Sequence, residues 1–343
     1  MPFEPATLPV VDYSILASDG SSPTGDDDKH HAAAALEKQK LFHALRDVGF
    51  VYLRAPTIFS PSSVVEPLFA RSRQFFALPA ADKESVLGRL DRARGPSQGY
   101  SNPTRFAANP ARADLKEFFG MYRDDEPDAA RANQWPAALP ELRADVTDFF
   151  DRGSEVVRTL LGALAEQVGL RREALAPLVE ERNHFVALLY YPEAERREFK
   201  ERVRASEHTD YGCMTLLFND SGKGLQVKGK DGEWHYVPRK EGCAVVNVGD
   251  LLSRLFNGML ASTLHRVVEP PAPRRSLTED PETAESLIPA RYSIAFFGHF
   301  NADALIEPIP ECISKERPKQ FDAVVSGEHV KQKVRALHVK GNS

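Results

Sequence analysis

Short β-strand patterns dominate the second half of this chain, and they limit its fold more than any other feature of the sequence. From residue 185 onward, runs of β-branched, aromatic and other apolar residues are separated by Gly, Asp and Pro, which are typical turn residues. Many short strands with regular turn signals indicate a sandwich or a jelly roll. The predicted strands are 185–191, 214–218, 225–228, 234–237, 244–248, 262–268 and 291–299. We therefore predict a mainly β fold with flanking helices.

The first half of the chain has a different pattern, in which helices are separated by short strands. Apolar residues recur at three- and four-residue spacing over 145–168, including Phe149, Leu160 and Leu164, which predicts a helix with one face in the core. The other predicted elements are helices at 32–48 and 64–76, strands at 8–13 and 51–53, and a loop without regular structure at 95–109. We expect residues 1–180 to pack on a core formed by residues 181–343 and to form one functional unit with it.

His208, Asp210 and His265 form the candidate metal site of the sequence. Two neutral imidazoles and one carboxylate on one face of a metal hold non-haem Fe(II) and leave positions open for O2 and a substrate. In a β-strand alternate side chains share a face, so His208 and Asp210 can point the same way while Thr209 points away. The third ligand must come from another strand, and the β-branched run 262–268 around His265 predicts one. The motif His-x-Asp is weak by itself, because such a short motif often arises by chance.

Arg291 and Ser293 form a second candidate site. They fall on the same face of the predicted strand 291–299. A guanidinium and a hydroxyl together suit a carboxylate, because charge-assisted hydrogen bonds fix its position as well as its charge. The alternative is a surface arginine paired with a nearby acidic side chain.

Four segments of the second half occur in the order found in a known family. They are 207–212 (Glu-His-Thr-Asp-Tyr-Gly), 247–250 (Asn-Val-Gly-Asp), 265–267 (His-Arg-Val) and 291–293 (Arg-Tyr-Ser). Matching segments of the first half are 8–12, 49–53, 75–79 and 114–117. With this combination the chain resembles the 2-oxoglutarate- and Fe(II)-dependent dioxygenases of the isopenicillin N synthase-like superfamily, over nearly its whole length. The runs around His208 and His265 are most similar to fungal members such as thymine 7-hydroxylase.

The resemblance implies a fold and a set of cofactors. The fold is a double-stranded β-helix, a cupin-like jelly roll whose open end houses the metal. His208, Asp210 and His265 would hold Fe(II) as the catalytic centre, where O2 and 2-oxoglutarate are converted with release of succinate and CO2. The substrate would be hydroxylated or, by related chemistry, desaturated or rearranged.

The resemblance also assigns residues to a 2-oxoglutarate site. Arg291 and Ser293 would bind the distal carboxylate, and Tyr191 stands at the place of a family tyrosine that supports the same carboxylate. Leu189 stands where many relatives have Asn, which removes one polar contact to the oxo acid. Residues 98–100 (Gln-Gly-Tyr) resemble a stretch that borders the pocket in related enzymes, with a plain connecting loop as the alternative.

Three residues bear on the identity of the substrate. In the thymine 7-hydroxylase branch, aromatic residues matching Tyr211 and Phe297 sandwich a flat ring, so the resemblance favours a planar or aromatic substrate. For Phe297, a place in the barrel core is the alternative. Ala187 stands where the thymine-hydroxylating pattern has Arg, which enlarges the pocket and removes a polar anchor. We therefore expect a larger molecule, such as a fungal secondary-metabolite intermediate.

A long segment follows the His265 strand. Residues 270–289 are rich in Pro, Arg, Glu and Asp, and they exceed the usual link between the last histidine ligand and the Arg291 strand. Long loops of this kind often carry function. We expect this segment to act as a lid at the mouth of the pocket.

Three alternative functions stay open. The chain could be a pyrimidine hydroxylase of nucleobase salvage, an Fe(II) oxidase of the same fold that does not use 2-oxoglutarate, or a non-catalytic jelly-roll binding module with a vestigial site. Succinate formation coupled to O2 uptake separates a 2-oxoglutarate-dependent dioxygenase from the oxidase, and iron binding tests the binding module.

The composition fits a small-molecule enzyme of the cytoplasm. The net charge is −5 and no basic cluster is visible, so we expect no nucleic-acid partner. Neither a signal pattern nor an apolar run of membrane-spanning length is visible, so we expect no membrane association. The cysteines Cys213, Cys243 and Cys312 are too few and too scattered for a disulfide framework.

Several other polar residues receive structural interpretations. Asp250 is predicted to cap a helix that begins at Leu251, because an aspartate at that position accepts free backbone N–H groups. His184, His235 and His299 are predicted to be packed or surface histidines rather than metal ligands.

Overall fold

A computed structural model describes residues 7–18, 27–88, 98–102, 113–125, 132–221, 224–270 and 287–340 of the chain. Within these ranges the strands form two main sheets, and most of the long helices lie on one side of the larger sheet. Among the described residues, no helix combines the length and the apolar character that a membrane span requires.

The elements follow one another along the chain as follows. The strands are β1 (Val10–Asp12), β2 (Phe50–Arg54), β3 (Gly99–Ser101), β4 (Glu117–Met121), β5 (Phe185–Tyr191), β6 (Ala194–Glu195), β7 (Ala205–His208), β8 (Met214–Asn219), β9 (Leu225–Lys228), β10 (Trp234–Tyr236), β11 (Cys243–Val248), β12 (His265–Val267), β13 (Leu287–Ile288), β14 (Arg291–Gly298), β15 (Leu305–Ile306) and β16 (Val324–Val325). The α-helices are α1 (Tyr13–Ala17), α2 (Asp27–Asp47), α3 (Glu66–Ala77), α4 (Ala80–Glu84), α5 (Leu142–Gln167), α6 (Asp250–Leu255) and α7 (Ser326–Lys340). Short π-helical and 3-10 turns occupy Pro61–Val65, Ala176–Val179, Arg196–Lys200 and Pro310–Cys312.

The two main sheets face each other as in a jelly roll. The larger sheet has the strand order β1-β2-β11-β8-β14-β5-β4-β3, and the smaller one has the order β10-β9-β12-β7. Phe50 and Val245 of the larger sheet pack in one buried cluster with Val227 and Val267 of the smaller sheet. Alternate residues of each strand share a face, so the strands bury one face between the sheets.

The outer face of the larger sheet is covered by helices. Helices α3 and α5 pack against β14, and the apolar stripe of α5 lies in the same buried cluster as the outer residues Leu188 and Phe296. Each fully buried side chain of this size contributes about 1.5–3 kcal/mol to stability. This second core holds the larger sheet in place behind the inner face.

The inner face of the larger sheet carries its side chains in rows set by the strand register. The antiparallel pairing of β5 with β14 places Tyr191 opposite Arg291, Leu189 opposite Ser293, Ala187 opposite Ala295, and Phe185 opposite Phe297. Because alternate residues share a face, these eight side chains lie on one side of the sheet. The pair of Tyr191 and Arg291 is at one end of the two strands, and the aromatic pair of Phe185 and Phe297 is at the other.

The predicted fold class is confirmed, and most predicted elements occur. Strands 185–191 and 225–228 have their predicted bounds, and the helix predicted at 145–168 is α5. The strand predicted at 262–268 is shorter, since only residues 265–267 pair with neighbours. The predicted division of the chain at residue 180 stays a prediction, and strands β1 to β4 of the first half belong to the same sheet as β5, β8, β11 and β14.

One expectation about local structure was wrong, and one helix was missed. The segment 95–109 was expected to lack regular structure, but Gly99–Ser101 pair with β4 as β3, while 95–97 and 103–109 lie outside the described residues. Gly99, the first residue of β3, has φ +90, a conformation that favours glycine. The glycine that suggested a loop is therefore required by the strand. Helix α7 near the end of the chain was not predicted at all.

Candidate active site

The three candidate metal ligands lie together between the two sheets. His208 ends β7 and His265 begins β12, and the antiparallel register places these residues directly opposite each other. Their ring centroids are 4.3 Å apart. The Nε2 atoms of His208 and His265 lie 3.8 and 3.7 Å from Oδ1 of Asp210. One ligand atom from each residue lies within 4.8 Å of the others, which suits a single metal ion.

Asp210 is held by hydrogen bonds and not by strand alternation. Strand β7 ends at His208, so the argument that His208 and Asp210 share a strand face does not apply. Instead, Oδ2 of Asp210 accepts hydrogen bonds from Oγ1 of Thr215 (2.5 Å) and Nδ2 of Asn247 (2.7 Å). These two partners occupy paired positions on β8 and β11. Oδ1 therefore faces the two imidazoles.

The ring orientation and charge state of the histidines also suit metal binding. Nδ1 of His208 lies 2.7 Å from the carbonyl oxygen of Ser206, and Nδ1 of His265 lies 3.1 Å from that of Thr263. When each Nδ1–H donates to its carbonyl, each Nε2 is left as a free lone pair. Burial, together with the neighbouring His265, lowers the pKa of His208 to about 4.

The carboxyl group of Asp210 is ionised in this environment. Burial would raise its pKa, but the two imidazoles and the hydrogen bonds from Asn247 and Thr215 outweigh that effect and lower it. The site therefore combines one anionic oxygen ligand with two imidazoles whose Nε2 atoms lie within 4 Å of it, which is the donor set of a facial triad.

Arg291 and Ser293 share one acceptor on the inner face of the larger sheet. Nη2 of Arg291 donates to Oδ1 of Asn219 at 2.6 Å, and Oγ of Ser293 lies 2.9 Å from the same atom. Arg291 is 2% exposed, which excludes the alternative of a surface arginine. The guanidinium lies 5.2 Å from the centre of the Tyr191 ring, which is itself buried.

The buried guanidinium of Arg291 has unused hydrogen-bonding capacity. Its Nε and Nη1 atoms are buried and have no hydrogen-bond partner among the described residues. Leaving buried charged donors unpaired is costly, and a carboxylate is the ligand that satisfies a guanidinium fork best. The residues present thus fit the distal carboxylate of 2-oxoglutarate.

A cavity of about 260 Å³ opens beside the triad. All three residues predicted to touch the substrate line it, namely Ala187, Tyr211 and Phe297. Leu189 lines it as well, and its apolar side chain offers no hydrogen bond. Most of the wall is apolar, which is typical of small-molecule sites.

The cavity also involves residues that the sequence interpretation missed. His299 was predicted to be a packed or surface histidine, yet it is a lining residue close to Asp210. Its position two residues after Phe297 was the available signal, because alternate residues share a face. Lys116 and Val330 line the cavity too, and Val330 belongs to the unpredicted helix α7.

Gly212 explains one feature of the segment 207–212. A Cβ atom at Gly212 would lie 2.5 Å from Nδ1 of His299 and 2.7 Å from the carbonyl oxygen of Gly298. Real contacts of this kind do not occur, so the close approach of the turn after Asp210 to the end of β14 requires glycine. His184 is packed behind this region and accepts a hydrogen bond from the backbone N–H of His299.

The predicted role of Asp250 needs correction. Asp250 was predicted to cap a helix that begins at Leu251, but it is the first residue of α6 and makes no cap hydrogen bond, since the cap residue is Gly249. Its carboxylate accepts hydrogen bonds from Ser262 and Thr209 and forms an ion pair with Lys333 of α7.

Residues 98–100 lie away from the cavity. Tyr100 is buried against Phe75, and its hydroxyl donates to Glu117.

Residues 271–286 of the segment expected to be a lid lie outside the described residues, so the lid stays a prediction. His235 interacts with Asp231, in agreement with its structural interpretation. Cys213, Cys243 and Cys312 are free thiols.

Comparison with known proteins identifies the family. Residues 182–300 match the 2OG-Fe(II) oxygenase superfamily, and residues 8–138 match the N-terminal region described as non-haem dioxygenase in morphine synthesis. The chain is 34% identical over 282 residues to proline hydroxylase buaE of Petromyces alliaceus, which covers 79% of this chain and 83% of the relative. It is 28% identical over 347 residues to the homoarginine-6-hydroxylase 2-ODD-C23.1 of Arabidopsis thaliana, with 96% of each chain covered.

A solved structure gives the same result. The full-length Neurospora crassa T7H in complex with alpha-KG and thymine superimposes with a TM-score of 0.82 at 32% identity, covering 96% of this chain and 97% of that one. The chain belongs to the 2OG-Fe(II) oxygenase superfamily. It is an oxidoreductase with a jelly-roll core that uses Fe(II), 2-oxoglutarate and O2.

Proposed function

We propose that this protein hydroxylates a small, planar or ring-containing organic molecule, larger than a pyrimidine, that is an intermediate of secondary metabolism. His208, Asp210 and His265 hold Fe(II) in this proposal. Arg291 and Ser293, with Tyr191 beside them, bind the distal carboxylate of 2-oxoglutarate. The observation that carries the proposal is the buried Arg291 guanidinium with two unpartnered donors, on the same inner sheet face as the cavity that opens at the triad.

The residues of the chain divide the work of the reaction. Bound Fe(II) supplies the activation of O2 that is coupled to the decarboxylation of 2-oxoglutarate. Thr215 and Asn247 hold one oxygen of Asp210 so that the other faces the imidazoles. The apolar walls exclude water from the oxidising centre, and Tyr211 and Phe297 orient a flat substrate by contact with its faces.

The small side chain at position 187 supports a substrate larger than thymine. Ala187 lines the cavity and lies opposite Ala295 on the inner face, so this part of the wall carries only a methyl group. Such a wall gives space and no hydrogen bond to a base. The relatives named above act on chemically different molecules, a proline, a homoarginine and thymine, so family membership leaves the substrate open.

A pyrimidine hydroxylase is the second candidate, because the structural similarity to T7H with thymine is strong. Incubation with thymine, 2-oxoglutarate, Fe(II) and O2 tests it, and 5-hydroxymethyluracil is the expected product. An oxidase of the same fold that does not use 2-oxoglutarate would consume O2 without forming succinate. A non-catalytic binding module would bind no iron after anaerobic reconstitution.

We expect Asp210→Ala to abolish both iron binding and turnover, because two imidazoles alone leave the metal without its charged ligand. Anaerobic Fe(II) titration with a competing chelator measures the binding. Asp231→Ala removes an exposed carboxylate outside the site and serves as the matched control. Stoichiometric iron in Asp210→Ala would refute the ligand assignment.

We expect Arg291→Leu to raise the 2-oxoglutarate concentration needed for half-maximal succinate formation by about 100-fold, because the buried carboxylate loses its charged partner. The matched control is Arg239→Leu, an arginine outside the site that lies 3.9 Å from Glu66. An unchanged 2-oxoglutarate requirement would favour the oxidase alternative.

A further inference from the structure

Lys116 places a positive charge at the wall of the substrate cavity. It immediately precedes β4, whose first residues pair with the end of β5. Its side chain is 23% exposed, and it lines the same cavity as His208, Leu189 and Ala187. Apart from the candidate metal ligand Asp210, it is the one residue with a formal charge at neutral pH among the described lining residues.

The ammonium of Lys116 is fixed in position by a chain of hydrogen bonds. Nζ donates to Oδ2 of Asp114 at 2.8 Å. Oδ1 of Asp114 in turn accepts hydrogen bonds from the backbone N–H (3.1 Å) and the hydroxyl (2.7 Å) of Ser206. Ser206 lies on β7, two residues before His208, so the ammonium is connected to the strand that carries this ligand.

Lys116 is charged and has N–H donors that Asp114 does not use. Burial would lower its pKa, but the Asp114 carboxylate, with a smaller contribution from Tyr191, raises it above its usual value. An ammonium has three N–H donors, and one of them is used by Asp114 among the described residues. The others are available to a ligand in the cavity.

The surroundings of Lys116 favour an anionic ligand over a neutral one. Phe118 and Leu189, which face each other across β4 and β5, make the neighbouring wall apolar. A charge-assisted hydrogen bond in such surroundings is roughly twice as strong as a neutral one. Asp114 reduces this preference by its own charge, but two hydrogen bonds from Ser206 already disperse the charge of that carboxylate.

We propose that the substrate of this oxygenase carries a carboxylate group and that Lys116 binds it. The carboxylate meets the ammonium, and the apolar body of the substrate lies along Phe118 and Leu189 towards Phe297 and the triad. Arg291 and Ser293 do not line this cavity, so Lys116 offers a second cationic position, although Tyr191, which lies beside Arg291, also contributes to the charge environment of Lys116. The inference rests on the proposed function, since it names the substrate class of the same site.

The test compares a carboxylate with its neutral analogue. The probes are 3-phenylpropanoate and 3-phenylpropanamide, which differ in charge and hardly in shape. Their binding is measured by calorimetry, without O2, to the protein loaded with Fe(II) and 2-oxoglutarate, so that the co-substrate occupies Arg291 and the acid probe cannot bind there. We expect the wild-type protein to bind the acid roughly tenfold more tightly than the amide.

Substitutions connect this preference to Lys116. We expect Lys116→Met to remove the acid preference while the affinity for the amide stays the same, and Lys116→Arg to retain most of the preference. Lys331→Met, which removes a lysine of α7 that pairs with Glu328 outside the cavity, should leave it unchanged. Thermal unfolding of each variant shows whether it is folded, and the wild-type comparison in the presence of Fe(II) and 2-oxoglutarate tests the proposal even where a variant does not fold.

Two results would overturn the proposal. One is equal affinity of the wild-type protein for acid and amide. The other is a Lys116→Met protein that keeps the acid preference; if the same variant binds 2-oxoglutarate more weakly, the ammonium belongs to the co-substrate site. Failure of the proposed function is detected separately, before any probe is added. In that case Fe(II) and 2-oxoglutarate added together to the protein give no charge-transfer absorption band.

Discussion

At the scale of single residues, the site depends on side chains that do not themselves touch the metal or the substrate. Asn247 positions Asp210, and Asn219 accepts hydrogen bonds from both Arg291 and Ser293. Asn219 is on β8, next to the strand that carries Arg291 and Ser293, and Asn247 is on β11 and is 4% exposed. Supporting residues of this kind commonly change metal affinity by about 10- to 100-fold when they are removed.

Asn247 gives a direct test of this support. We expect Asn247→Leu, which nearly conserves volume, to weaken Fe(II) binding by about 10- to 100-fold, because Asp210 loses the donor that orients its carboxylate. Anaerobic Fe(II) titration measures the effect. Asn301→Ala removes an amide that bonds to Glu181 and Pro177 away from the site and should bind iron normally. Wild-type iron affinity in Asn247→Leu would show that Thr215 alone orients Asp210.

At the scale of elements, helix α5 and strand β14 are fitted to each other. Phe296 points outward from β14 into the surface of α5, where Gly153 gives it space. A Cβ atom at Gly153 would lie 2.4 Å from Cδ2 and Cε2 of the Phe296 ring. The same strand carries Arg291, Ser293 and Phe297 on its other face. The packing of α5 therefore fixes the strand that bears the functional side chains.

We expect Gly153→Ala to destabilise the protein by about 1–2 kcal/mol. Alanine in a helix interior gains up to about 1 kcal/mol over glycine, but overpacking against a buried ring costs about 1–3 kcal/mol, so the steric effect prevails. Chemical denaturation measures the free energy of unfolding. Ser154→Ala on the same helix should change it by less than about 0.5 kcal/mol. Equal or greater stability of Gly153→Ala would contradict this account of the interface.

The elements also show what the sequence could and could not reveal. Strand β5, a continuous apolar and aromatic run, and strand β9, in which apolar and polar residues alternate, were predicted with correct bounds, because local pattern decides them. Strand β3 was missed, since its residues are turn formers and its stability comes from pairing with β4. Helix α7 was missed although its contacts are specific, with Val330 at the cavity and Lys333 paired with Asp250.

The site was predictable to a different degree from the fold. His208, Asp210 and His265 could be named from motif order, and the structure brings them together. His299 and Lys116 could not be identified in that way, because their place at the cavity follows from the register of β14 and from the path of the chain before β4. The role of Asp250 was misjudged because its partners Ser262 and Lys333 are 12 and 83 residues away along the sequence.

At the scale of the whole molecule, buried histidines make the stability of the metal-free protein depend on pH. Burial is the largest cause of a lowered pKa at three histidines, which brings it to about 3 for His184, about 4 for His208 and about 4 for His299. In the unfolded chain a histidine has a pKa near 6.5. Between about pH 6.5 and 4 the unfolded chain therefore binds more protons than the folded one, and the unfolded state gains stability as the pH falls.

We expect the free energy of unfolding of the metal-free protein to be highest above about pH 6.5 and to decrease towards pH 4, by on the order of 2 kcal/mol or more. Urea denaturation at a series of pH values measures it. His184→Asn should reduce the slope, because Asn can still accept the hydrogen bond from the backbone of His299 without gaining a proton. His43→Asn, at an exposed position, is the control. A pH-independent free energy over this range would contradict the prediction.

The arrangement of the inner sheet face has a consequence for how this protein could acquire new substrates. The residues proposed to hold the co-substrate and those proposed to hold the substrate occupy opposite ends of the same two strands, with Tyr191 and Arg291 at one end and Ala187 and Phe297 towards the other. A change at Ala187 or Phe297 alters the wall of the substrate cavity but leaves the strand register the same. The residues that bind the co-substrate therefore keep their positions. Specificity can therefore drift by single substitutions without loss of the oxidising chemistry, which makes the scaffold evolvable.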